Sequence, residues 1–176
     1  MIKDEVLKYF SGKNILVTGG TGLIGRQVVS ILSEAGAALK IVSLDRIKLG
    51  NSIEHVFGDL ASLEFCKQVV KGMDFVFHLA GIKGSPEVTR NKPASFFVPL
   101  LMMNTNILEA CRVHKVERVV YTSSIGAYAS SEFFREEQGL DGIPMDTFPG
   151  WAKRMAELQI QAYRIQYGLN NFYVVR

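Results

Sequence analysis

Cysteine is scarce in this chain, with two residues among 176, and neither sign of charge dominates, with 20 lysines and arginines against 17 aspartates and glutamates. Cys66 and Cys111 sit in helical-looking segments without the paired spacing of a metal site. That excludes a zinc module and a disulfide framework, and predicts two reduced, buried thiols and no metal centre. A formal charge of +3 is too small to point to nucleic acid or to an acidic membrane surface. Internal repeats, low-complexity tracts, a signal peptide and a membrane-spanning segment are not visible, and residues 1–11 are charged and amphipathic. The expected location is the cytoplasm, with no nucleic-acid or membrane partner.

What is present reads as a single α/β domain. Hydrophobic residues make up 48% and charged residues 21%, an ordinary balance for a soluble globular chain long enough for a sizeable core. A short amphipathic helix is expected at 2–10. Apolar runs predict strands at 15–17, 39–44, 55–57, 74–79, 116–122 and 172–175. Helical patterns cover 23–35, 63–71, 94–114 and 150–167, with Gly36 and Gly72 as stops. Stretches 81–93 and 129–148 read as irregular. Strands alternating with helices predict a Rossmann-type doubly wound parallel sheet, flanked by helices on both faces. Near-continuous apolar strands such as Phe75-Val-Phe fit burial on both sides. The chain ends at Arg176, directly after the sixth apolar run, which predicts a form truncated inside its sheet.

The densest information lies in Asn14-Ile-Leu-Val-Thr-Gly-Gly-Thr-Gly-Leu-Ile-Gly-Arg26. Gly19, Gly22 and Gly25 recur every third residue between an apolar strand and a helix. The first glycine permits a tight turn, the second lets backbone approach a pyrophosphate, and the third lets helix pack on strand. The helix start beyond them offers unpaired N–H groups and the positive end of a dipole. Asp45, 20 residues after Gly25, closes the second strand where an acid would accept hydrogen bonds from a ribose. A carboxylate there favours NAD over NADP, while the adjacent Arg46 could instead pair with a 2′-phosphate.

These residues resemble the NAD-dependent epimerase/dehydratase family of the extended short-chain dehydrogenase/reductase superfamily. Thr18 to Gly25, with Leu23 and Ile24 inside it, is similar to the family's cofactor loop. Gly58-Asp59-Leu60 resembles the segment whose acid and following amide contact adenine. His78-Leu79-Ala80-Gly81 resembles the strand end beside the cofactor's phosphates and ribose. Asn106 to Ala110 is similar to the helix after the fourth strand. Tyr121-Thr-Ser-Ser124 resembles the strand carrying the catalytic hydroxyl, and Trp151-Ala-Lys153 the helix carrying the catalytic lysine. The finer likeness, through Ala152 to Met155, Gln161 to Tyr163 and Gln166 to Gly168, is to the GDP-fucose synthase-like branch.

The resemblance implies NAD as cofactor, a nucleotide-sugar as substrate of the intact form, and transient hydride transfer. It implies that Ser124 orients the substrate oxygen, with Ser123 as the alternative, and that Lys153 holds the nicotinamide ribose and lowers a tyrosine's pKa. Ser123 joins the cofactor set. The tyrosine four residues before Lys153 is replaced by Pro149. Gly126 stands where the fucose-synthase branch carries a cysteine, and Leu100 where the family often has asparagine. The family's substrate-binding C-terminal domain has no counterpart in residues 1–176. Two rivals follow from Pro149: a non-catalytic NAD-binding module, or an inactive fragment. Helices 94–114 and 150–167 resemble the pair that forms a homodimer interface in the superfamily, although their apolar faces could equally be spent on the sheet.

Overall fold

The structure is a computed structural model that describes residues 4–82 and 84–176. Six strands form one sheet in the order β3-β2-β1-β4-β5-β6, and every adjacent pair is parallel. They are β1 (Asn14–Thr18), β2 (Ala38–Ser43), β3 (Glu54–Phe57), β4 (Phe75–His78), β5 (Arg118–Thr122) and β6 (Phe172–Val175). The helices are α1 (Asp4–Phe10), α2 (Leu23–Glu34), α3 (Leu63–Val70), α4 (Pro86–Asn91), α5 (Ala94–Val113) and α6 (Thr147–Tyr167). Residues 2 and 3 of the expected first helix lie outside the described residues.

Side-chain alternation along each strand divides the core in two. Ile15, Val17, Ile41 and Phe75 face α2, against Val29 and Leu32. Leu16, Val42, Val76, Val119 and Tyr121 face the opposite layer, where they meet α3, α5 and α6 through Val69, Ile107, Ala156 and Ile160. Strands buried on both faces account for the continuous apolar runs in the sequence. The chain passes outward from β1 to β2 and β3, then crosses back to β4 on the other side of β1. The two halves of the winding therefore diverge between β1 and β4. A crevice opens there, at the carboxyl ends of the strands.

The structure corrects several sequence expectations. The stretch 81–93 contains α4, whose start is capped by Ser85 Oγ accepting the Val88 N–H at 3.3 Å. The final helix begins at Thr147 rather than residue 150, so Pro149 lies inside its first turn, where a missing N–H breaks no helical bond. Within 129–148, residues Glu136–Gln138 form a 3₁₀ turn. One helix, Ala94–Val113, is long and apolar enough to cross a membrane by length and composition alone. Here it is a core helix, burying Phe96, Leu100, Met103, Ile107 and Leu108 and seating the polar Asn104 in the interior.

Candidate functional site

The glycine turn after β1 is shaped by backbone contact. Gly19 has φ of 69°, a left-handed conformation that glycine adopts at no steric cost. A Cβ on it would stand 2.8 Å from the Ala80 Cα, so the turn leans directly on the exit of β4. A Cβ on Gly25 would collide with the Gly19 carbonyl, which explains the close seat of α2. Gly22 has ordinary φ of −73° and is the N-cap of α2, without a side chain to cap it. Glycine at 22 is thus a matter of room. The first-turn amides of α2 are left to serve an anion.

The cleft beyond this turn has a volume of about 250 Å³. Gly19, Thr21, Gly22 and Asp45 line one side, Asp59 and Leu60 the floor by β3, and Leu79, Ala80, Gly81 and Ile82 the side by β4. Asp45 is anchored by two donors, the Thr21 hydroxyl at 2.6 Å and the Ile47 N–H at 3.0 Å. The Thr21 bond first, and the amide second, hold its carboxyl below the usual aspartate range. Asp59 accepts the Ala61 N–H at 2.9 Å. Arg46 turns aside and lies over the Phe57 ring, 5.6 Å from its centroid. Leu23 and Ile24 are exposed on the first turn of α2.

A second group of residues gathers at the end of β5 and the start of α6. Lys153 Nζ donates to the Thr122 carbonyl at 2.8 Å and lies 5.1 Å from the Tyr121 ring centroid. Ser124 Oγ accepts the Gly126 N–H at 3.1 Å. Ser123 donates its hydroxyl to Glu157, so its side chain is engaged away from the cleft. Ser124 and Lys153 are therefore brought to one end of the sheet, while Leu23, Ile24, Gly25, Arg46 and Ser123 do not line the cleft.

A buried polar chain joins the two groups. Thr18 Oγ1 lies 2.7 Å from His78 Nδ1, and His78 Nε2 lies 3.0 Å from Asn104 Oδ1. Asn104 Nδ2 donates to the Tyr121 hydroxyl at 3.2 Å, and that hydroxyl donates to the Lys153 carbonyl at 3.4 Å. The amide oxygen of Asn104 can only accept, so the His78 proton sits on Nε2 and Nδ1 accepts from Thr18. Burial first, and the nearby Lys153 charge second, push His78 down to about 3. The imidazole is neutral and fixed in one tautomer.

Sequence reasoning missed six contributions. Thr21, two residues beyond Gly19, sets the Asp45 carboxylate. His78 lies in the expected strand-end motif, but its part in the polar chain was not legible there, and Asn104 reads as an ordinary helix residue. Arg154 is buried and donates to the carbonyls of Ala127 at 3.1 Å and Asp141 at 3.0 Å, tying down the long irregular stretch. Arg176 clasps the buried Glu157 at 2.5 Å. Asp146, immediately before α6, had a legible signal: an acid at an N-cap position three residues ahead of a proline.

The model of the NAD dependent epimerase/dehydratase family matches residues 15–175. Among curated proteins, the UDP-glucose 4-epimerase of Azospirillum brasilense is 27% identical over 165 residues, covering 89% of this chain and 46% of the relative. An epimerase structure from Methanothermobacter thermautotrophicus superposes with a TM-score of 0.84 at 29% identity, over 98% of this chain and 53% of that one. The Thermus thermophilus UDP-glucose 4-epimerase, solved in complex with NAD, gives 0.78 at 26% identity, over 93% and 54%. The chain thus spans about half the length of these relatives. With the family model covering nearly every residue from the first strand to the last, the chain belongs to the NAD dependent epimerase/dehydratase family.

Proposed function

We propose that this chain is the NAD-binding domain of a nucleotide-sugar epimerase/dehydratase-like oxidoreductase acting by transient hydride transfer. The observation that carries the reading is the cleft at the β1–β4 switch, where the glycine turn, the uncapped start of α2 and the Asp45 carboxylate converge. The residues fit the cofactor. The α2 amides suit a pyrophosphate, Asp45 suits the adenosine ribose hydroxyls, and Asp59 with the Leu60 amide suits adenine. Lys153, seated on the Thr122 carbonyl, would hold the nicotinamide ribose, and Ser124 would orient a sugar hydroxyl. When bound, NAD accepts a hydride from the sugar carbon and returns it. The relatives are about twice as long as this chain. Exposed Val98, Met102, Met155 and Leu158 on α5 and α6 favour a homodimer through these helices, which light scattering would read as twice the chain mass.

A second reading is a non-catalytic NAD-binding module. Pro149, which has no proton to exchange at the family's tyrosine position, favours it. Calorimetric titration of Gly22→Val tests the site shared by both readings. A Cβ at 22 would already lie 3.2 Å from the Gly19 carbonyl, and a branched side chain would fill the phosphate path. Binding is expected to weaken by more than about tenfold (~1.4 kcal/mol) with the fold intact. Unchanged binding by a folded variant would reject the cleft.

A further inference from the structure

We propose that Asp146 is the proton acceptor and donor for the sugar hydroxyl, an assignment that rests on reading the chain as a nicotinamide-dependent oxidoreductase. A second crevice of about 430 Å³ holds Asp146, Thr147 and Pro149 at the start of α6, and Arg90 from α4. Ile82 lines this crevice and the cofactor cleft alike. The two are neighbours along the strand ends, and the crevice lies on the side of Ile82 away from Asp45.

Oxidising a carbinol there requires a group that takes a proton. Among the described residues, Tyr121, Tyr128, His78 and Lys153 are engaged elsewhere. Tyr121 donates into the core polar chain, and desolvation raises its phenol further. Tyr128 is buried beneath the Arg176 guanidinium, 5.4 Å from its ring centroid. His78 is locked between Thr18 and Asn104, and Lys153 serves the Thr122 carbonyl.

Asp146 is held differently. It occupies the N-cap of α6, where an aspartate ordinarily accepts the N–H of the second or third helical residue. The third is Pro149, which has no N–H, and Asp146 makes no capping bond. The proline thus removes one of the two amides that could hold this carboxylate. Gly126 makes the room, since a Cβ there would stand 2.6 Å from the Asp146 Cβ. The amide of the same glycine is bound by Ser124 Oγ, so carboxylate and hydroxyl flank one residue. Desolvation raises the Asp146 carboxyl above the ordinary aspartate range, the direction a base working near neutrality needs. Among the described residues, Arg90 is the charged side chain that shares the crevice with Asp146. In the step, the O–H proton passes to an Asp146 oxygen while the C–H hydride goes to the bound oxidised nicotinamide. The carbinol becomes a carbonyl, the nicotinamide is reduced, and the carboxylate becomes a carboxylic acid that returns the proton on reversal.

The test combines two measurements on the protein at its full natural length. Carbon-13 NMR titration of the Asp146 carboxyl, assigned by its loss in Asp146→Asn, is run with saturating NAD⁺ and with NADH. The positive nicotinamide should lower the pKa by about one unit relative to the reduced form. Nicotinamide reduction by UDP-glucose should then slow by about 10²–10⁴-fold in Asp146→Asn. Asp146→Glu should keep part of the rate, and Gly126→Ala, which crowds Asp146 without changing its charge, should lose part of it. Equal rates in wild type and Asp146→Asn, zero included, overturn the assignment, as does a carboxyl that titrates alike with both cofactor forms. Absence of any NAD binding heat would instead bring down the cofactor reading, and the assignment with it.

Discussion

Acid should unfold this domain through His78. The imidazole is fully buried, and burial together with the Lys153 charge lowers it from the ordinary 6.5 to about 3. Because the folded value lies below the unfolded one, the unfolded chain binds the extra proton between those two values. Stability is whole above the unfolded pKa and is lost progressively as pH falls toward the folded one. Between pH 7 and pH 5 the loss from this one residue is about 2 kcal/mol. For a chain of this size that is a fall in Tm of about 4–8 °C. Denaturant unfolding at the two pH values, in wild type and in His78→Gln, isolates it. Glutamine keeps a donor for Asn104 and an acceptor for Thr18 but does not titrate. The variant is expected to be weaker at both values and to lack the 2 kcal/mol increment. If it loses as much stability between pH 7 and pH 5 as wild type, the imidazole is not held neutral and the buried chain from Thr18 to Lys153 is wrongly drawn.

Arg176→Met should leave the buried Glu157 carboxylate without its charged partner and cost about 3–5 kcal/mol by chemical denaturation; a loss below about 1 kcal/mol would mark the pair as solvated. Cys66 and Cys111 are both buried and unpaired, and burial pushes the Cys66 thiol up to about 12 and the Cys111 thiol higher. Neither should react with an aromatic disulfide reagent until the chain unfolds, and fast labelling of two thiols in the native protein would contradict the core as described.

The parts of the fold that were legible in the sequence are those where a local pattern has one physical outcome. The run 15–17 had to be a strand buried on both faces, and 172–175 closes the sheet as an edge strand that buries Phe172. The glycines between β1 and α2 announced a turn pressed against a neighbouring strand end. Asp45, Asp59, Leu60, Leu79, Ala80 and Gly81 were all expected at the cofactor, and all line the cleft. Helix ends were less legible, because caps outweigh apolar periodicity there. Ser85 starts a helix inside a stretch rich in glycine, proline and charge, and α6 gains a turn before residue 150 because a proline at its third position breaks no hydrogen bond. The tertiary polar contacts were not legible at all. His78 meets Asn104 across 26 positions of chain, and Arg176 meets Glu157 across 19. No local spacing encodes such pairings. Asp146 lies between these cases: its N-cap position is written in the sequence, while the room that Gly126 leaves beside it is seen only in three dimensions.

The most direct measurement of the central claim is calorimetric titration of the chain with NAD and with NADP. Asp45, ionised and held toward the cleft by Thr21 and Ile47, should accept the ribose hydroxyls of NAD and repel the 2′-phosphate of NADP. NAD is expected to bind at least about tenfold tighter, a difference of ~1.4 kcal/mol, and Asp45→Ala should erase most of that preference. Equal or tighter binding of NADP would remove Asp45 from the ribose and contradict the cleft as a site for NAD.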